Sequence, residues 1–415
     1  MIFFANALPM NGGSTFLVRM CRELRHQNIA VAVILLRREY DSKLYAELEI
    51  SAKIFYLDDF LLDKGMIFRG HIGIFGFIDW KKLEHSLMPF GDHIHAMGAM
   101  GLFLCWRMFF SKIRFSLTVG IYHQNEFLYK ELNYLFAKRI TSIFLQIPTV
   151  NVIFFNEASR DNYSKFFKKD FSSSLVLPIG IDLPSGDVNL FCDDSFRIVS
   201  VGNLVEFKTY NEHLIRALPN LVIKYPEIKY DIFGSGPNEN HLKDIVTQLG
   251  LLDQVRFHGE IEYSRIKFAL NKAALFVGSG TSLVEAAALG VPALIGIESI
   301  KTPETYGFLS DIDGLSYNEN VSYLPKKKIS SLLDDFFEDV SMRNELSITC
   351  RKKSQQFAVT KTAEGFISLD VRRFDFNKIY QIFILPSLFV SFLNIAFRDK
   401  FLGFNEFSNR RNQSY

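Results

Sequence analysis

The chain has 415 residues, enough for two domains with substantial cores. Its 48% apolar and 22% charged residues exclude a disordered chain, and a net charge of +2 gives no electrostatic case for nucleic acid. Cys21, Cys105, Cys192 and Cys350 are scattered without Cys-x-x-Cys spacing, which reads as a reduced, cytosolic compartment.

Met1-Ile-Phe-Phe-Ala-Asn has no basic start and Pro9 soon interrupts it, so Ile2 to Leu8 reads as a buried strand and not a signal peptide. Pro9 to Ser14, with Gly12 and Gly13, reads as a turn. Thr15 to Gln27 has a helical rhythm (Phe16, Leu17, Met20, Leu24), and Ile29 to Leu35 is a buried-type strand. This order is a Rossmann-like start without the full Gly-x-Gly-x-x-Gly fingerprint. Ala96 to Phe110 is apolar with Trp106, Arg107, Phe109 and Phe110. Two readings stand for it: a basic, aromatic face for an anionic membrane, or a core helix with a snorkelling arginine. His93-Ile-His95 and Thr118 to His123 read as strand ends of one sheet, with His95 structural. Val150 to Phe155 is a further strand leading into a helix. Leu183 to Ser195 clusters Pro, Ser, Gly and Asp, and reads as an interdomain linker.

In the second half, Phe196 to Gly202, Tyr230 to Gly234 and Val255 to Gly259 are short apolar runs that each end in glycine before a helical pattern. Ala274 to Val277 runs into Gly278-Ser-Gly280-Thr281-Ser282-Leu283-Val-Glu285, a glycine turn with a helix opening near Ser282. Gly290 and Pro292 stop that helix, and Ala293 to Ile297 is the next strand. Such a βαβ unit offers backbone N–H groups and a positive helix end to an anion. In a parallel sheet, Gly202, Gly234, Gly236, Gly259, Gly278 and Gly280 would line the carboxyl edge, where ligands bind.

Thr360 to Phe366 reads as a helix. Ile379 to Phe397 is apolar but carries Gln381, Pro386 and Asn394, with Arg372, Arg373, Lys378, Arg398 and Lys400 at its flanks. That favours a segment lying in a membrane interface or packed on the protein over a true span. Pro386 is expected to break or kink a helix there. Pro325 to Lys328 reads as a solvated loop, and the sequon Asn412 to Ser414 carries no meaning in a cytosolic chain.

Several motifs in order make Arg197 to Gly296 resemble the nucleotide-binding domain of retaining glycosyltransferase family four. Gly202-Asn203-Leu204 with Lys208 matches its Gly-Arg-Leu-x-x-x-Lys, and Gly234 to Pro237 its Gly-x-Gly-Pro turn. Leu251 to Gly259 matches a further stretch, and Gly278, Gly280, Glu285 and Ala286 match its paired-glutamate signature. The resemblance implies a GT-B fold: two Rossmann-like α/β domains facing across a cleft, here 1–185 on the acceptor side and 186–360 for the nucleotide sugar. The crossing helix and a membrane-associated tail would then occupy 361–415. It also implies a Gly12–Gly13 loop at the bound substrates, and His123 facing the sugar. A plain turn and a strand-capping histidine are the alternatives. Two positions depart from the family: Asn203 replaces an arginine, and Val277 replaces the first glutamate, which touches the donor sugar.

Transfer from a nucleotide sugar builds negative charge on the departing diphosphate, which fixed dipoles and a cation stabilise. Lys208 is the expected cation and the N–H groups from Gly280 to Leu283 the dipoles. By resemblance Glu285 takes the ribose hydroxyls, which suits an acceptor-only carboxylate, while Glu260 and Ile261 border the base. Asp311-x-Asp313 reads as a turn, leaving no metal site, so the expected co-substrate is a UDP- or GDP-linked sugar with no further cofactor. The expected acceptor is a glycan, free or lipid-linked. Two rivals remain: a scaffold whose catalytic set has decayed, on Asn203 and Val277, and an epimerase, for which no acid–base carboxylate set is found.

Overall fold

The computed structural model describes residues 1–63, 67–129, 134–186, 188–191, 195–262, 265–377 and 381–402. Cys192, Lys378 and the sequon at 412–414 lie outside them. The described residues divide into two units, one of Met1–Leu177 with those from Thr362 to Leu402, the other of Pro178–Lys361.

The first unit holds a parallel sheet of β1 (Ile2–Ala5), β2 (Ala32–Leu35), β3 (Lys53–Tyr56), β4 (His93–Met97), β5 (Ser116–Ile121), β6 (Val152–Phe154) and β7 (Leu175–Val176). The strand order is β3-β2-β1-β4-β5-β6-β7. β1 and β2 are apolar and buried at every position because helices cover both faces of such a sheet. The order reverses between β1 and β4, which opens a crevice at their carboxyl ends. β1 stops at Ala5, short of the expected Leu8. Leu8 instead makes an isolated bridge to Tyr40.

The first helix starts at Gly12, not Thr15. The Asn11 side chain accepts from Ser14 N at 2.9 Å and caps it, so Gly12 and Gly13 form the helix's first turn and not a separate loop. The stretch around Trp106 is a core helix, Ala99–Phe110. Trp106 is buried, and the buried Arg107 donates to the carbonyls of Ile74 and Gly76 while stacking on Trp80. It presents no basic face. His95 is fully buried, its ring held 2.9 Å from both Thr118 Oγ1 and Tyr122 OH.

The second unit holds β8 (Arg197–Val201), β9 (Lys229–Phe233), β10 (Val255–Phe257), β11 (Leu275–Gly278) and β12 (Ala293–Ile295), all parallel in the order β10-β9-β8-β11-β12. Its order reverses between β8 and β11. Lys327–Lys328, expected in a solvated loop, pairs as a short antiparallel ribbon with Glu304–Thr305. Asp311 ends a short 3-10 turn and its carboxylate accepts from Phe308 N.

The helix Val359–Ser368 carries the chain back to the first unit, where Phe366 packs on His95 at 4.8 Å. The last described helix, Gln381–Phe401, runs through Pro386 without breaking. Among the described residues no helix is long and apolar enough to cross a membrane.

Candidate functional site

The switch point of the second unit collects most of the residues that the motifs single out. The chain leaves β8 at Gly202, turns, and places Lys208 back over it: a Cβ on Gly202 would lie 2.9 Å from Lys208 Nζ. Gly234 has φ 141° and packs so close to the Gly202 carbonyl that any side chain would collide with it. Leu204 N donates to Ser235 O at 2.8 Å, stitching the turn after β8 to the turn after β9 that ends at Gly236. Glu260 is exposed at the same edge and accepts from Ser235 Oγ at 2.5 Å; Ile261 beside it is half-buried. Asn203 is exposed.

Across the switch point, β11 ends at Gly278 and the helix Thr281–Ala288 begins, with Gly280 as N-cap at φ 69°. Ser282 Oγ donates to Val201 O at 2.9 Å, tying this helix start to the end of β8. Thr281 is half-buried, Leu283 fully buried, and Glu285 lies one turn in with 7% exposure. Lys208, Gly202 and the amino end of this helix therefore meet at one sheet edge.

Val277 is buried in β11, and its carbonyl accepts from Ser200 Oγ at 2.6 Å. A carboxylate nevertheless reaches this loop from elsewhere. Glu298, just beyond β12, accepts from Ser279 Oγ at 2.8 Å. Loss of solvent raises its pKa, opposed by the charge of Lys208 and by the Ser279 hydroxyl. Asn318 Oδ1 accepts from Gly280 N at 2.8 Å, and Asn318 O accepts from Glu298 N at 2.8 Å. The neighbouring Glu319 has an enclosed carboxylate oxygen, and burial pushes its pKa up to about 7 with help from Glu298. Glu298, Asn318 and Glu319 were missed from sequence. Only Glu298 had a signal: a carboxylate two residues after Gly296, at the end of a parallel strand.

In the first unit, the switch point holds a cavity of about 650 Å³. Asn6 and Gly13 line it from the β1 side, Gly98 and Met100 from the β4 side, and Tyr122 and Glu126 from beyond β5. Glu126 Oε1 accepts from Ala99 N at 3.2 Å, at the amino end of the core helix. His123 sits in the turn after β5, where its Nδ1 accepts from Asn125 N at 3.2 Å. The ring thus serves the turn, while Tyr122 and Glu126 on either side reach the cavity.

Residues 187–305 match the family model described as Glycosyl transferases group 1. The matched segment covers the switch point of the second unit. The chain is 25% identical over 151 residues to the UDP-N-acetylglucosamine–peptide N-acetylglucosaminyltransferase GtfA subunit of Streptococcus pneumoniae, covering 34% of this chain and 28% of that one. It is 22% identical over 233 residues to an uncharacterized glycosyltransferase of Haemophilus influenzae, covering 53% and 61%. The match thus spans between about a quarter and three fifths of these relatives. Among solved structures, Anabaena HepE in complex with UDP and glucose aligns over 88% of this chain and 98% of its own, with TM-score 0.61 and 17% identity. The fold is that of the GT-B glycosyltransferases, and the segment that resembles group 1 lies in the second unit.

Proposed function

We propose that this protein is a glycosyltransferase that moves a sugar from a UDP- or GDP-linked donor to a glycan acceptor, lipid-linked, with retention at the anomeric carbon. The observation that carries this reading is the Lys208 ammonium poised over Gly202 beside the amino end of the helix Thr281–Ala288. A diphosphate seated there receives a cation and backbone N–H groups, the arrangement that stabilises charge on a departing nucleotide. Glu285, along the same helix, takes the ribose hydroxyls, and Glu260 with Ile261 borders the base. The cavity of the first unit takes the acceptor, with Glu126 and Tyr122 as its polar contacts. His123 shapes that wall through its turn. The charge on the leaving group is met by Lys208 and the helix dipole, so the reaction is assigned no metal ion. The scattered cysteines and the membrane-facing helix discussed next fit work at the cytoplasmic side of a membrane.

Calorimetric titration with UDP and GDP tests the reading. One of the two binds, and Lys208→Ala weakens that binding about tenfold or more, as expected for a charge-assisted contact of roughly 1.5–3 kcal/mol. Equal affinity of the variant, or no binding to either nucleotide, refutes it. A decayed, non-catalytic scaffold is the second reading, favoured by Val277 and the exposed Asn203. Slow hydrolysis of the donor separates the two, since an intact site leaks to water.

A further inference from the structure

The helix Gln381–Phe401 is apolar on two opposite sides. Its inner side builds the first unit: Leu388, Phe392 and Ile395 are buried, and the Phe392 ring lies 5.4 Å from Phe75 and 5.2 Å from Phe136. Ser391 Oγ accepts from Phe136 N at 3.1 Å and fixes the helix in place. The outer side needs no explanation from folding, yet Val390, Leu393, Phe397 and Phe401 follow one another at helical spacing along it. They are 65%, 41%, 54% and 68% exposed. A helix facing water carries polar residues there; here, among the residues whose exposure is described, Ser387 and Asn394 are the exposed polar ones. The apolar surface continues past the helix edge. Phe389 packs on Phe68 at 5.8 Å, Phe68 packs on Phe77 at 6.4 Å, and Phe77 and Ile67 are 72% and 71% exposed. A run of exposed apolar side chains of this kind calls for a docking partner.

We propose that the outer side of the helix Gln381–Phe401, continued by Phe77 and Ile67, docks on the surface of an anionic lipid bilayer. Charge selects this occupant. Between Arg372 and Leu402 there are five basic residues (Arg372, Arg373, Lys378, Arg398, Lys400) and two acidic ones (Asp375, Asp399), a surplus of +3 against +2 for the whole chain. A basic surplus in the sequence flanking an apolar helical stripe suits an interface rich in anionic headgroups, although Arg373 also pairs with Asp92 at 2.9 Å. The helix is not apolar enough to cross, so it lies in the plane of the surface. The inner side of the same helix borders the proposed acceptor cavity, because Phe136, which packs against Phe392, is one of that cavity's walls, together with Tyr129 and Met100. This placement rests on the reading that the acceptor is lipid-linked. It sets bilayer and cavity on opposite sides of one helix.

The test is flotation of the full chain with vesicles of phosphatidylcholine alone and of equal parts phosphatidylcholine and phosphatidylglycerol. The protein is expected to float with the mixed vesicles and far less with the neutral ones. Val390→Asp with Phe397→Asp, both at exposed positions, is expected to lower the bound fraction about tenfold or more. If that pair lowers the melting temperature, Val390→Ser with Phe397→Ser replaces it. Undiminished flotation of the variant, or no flotation of the unaltered protein, overturns the proposal. So does a dimer in solution that the substitutions disperse, since the face would then belong to a second copy. Nucleotide titration on the same samples keeps the two readings apart: binding without flotation sinks only the docking face, whereas absent binding sinks the transferase.

Discussion

Two carboxyl groups near the glycine turn make the proposed donor edge sensitive to pH. Burial raises Glu319 to about 7 from an ordinary value of 4.5, so the folded protein holds a proton there that the unfolded chain has lost. Stability is therefore expected to fall as pH rises from about 4.5 towards 7 and then to level off, by on the order of 1–3 kcal/mol. Glu319→Gln should flatten that window in a melting series across pH; an unchanged slope would assign the effect to another group. Glu298 shifts in the same direction, restrained by Lys208. A diphosphate that takes over Lys208 weakens that restraint, so nucleotide binding should draw a proton onto Glu298. Calorimetry in buffers of different ionisation heat reads the uptake directly, and Glu298→Gln should abolish it.

The turns between elements carry the next set of consequences. Gly234→Ala would drive a methyl into the Gly202 carbonyl at a φ that side chains avoid. It should lower stability by at least about 1–3 kcal/mol, measured by thermal unfolding, and displace Lys208 with it. Arg107→Leu leaves the carbonyls of Ile74 and Gly76 without their buried donor. Each lost partner costs about 1–3 kcal/mol, so a variant melting like the parent would show that these contacts matter little. The strands and glycine turns of the second unit were legible because a doubly covered parallel sheet writes short apolar runs that end in glycine. The first unit was less so. Asn11 moved the start of its first helix by three residues through one side-chain bond, a detail that apolar rhythm does not carry. Arg107 read equally well as membrane-facing because a sequence does not show which carbonyls lie within reach. The Glu298–Asn318–Glu319 group joins segments far apart in the chain, with no local pattern to announce it.

At the scale of the whole molecule, the C-terminal helix is part of the first unit's core and not an appendage. Phe392→Ala should cost about 3–5 kcal/mol, read as a lowered melting temperature, and removing the helix would strip cover from Phe75 and Phe136. A truncation made to release the protein from membranes would thus also injure its fold; outward-facing substitutions avoid that. The first unit takes its strands from the start of the chain and its last cover from the end, while the second is one uninterrupted stretch. On a ribosome, the later-made lobe can complete itself as soon as it emerges. The earlier-made sheet must wait, with part of its apolar surface bare, until the helix Gln381–Phe401 has left the exit tunnel.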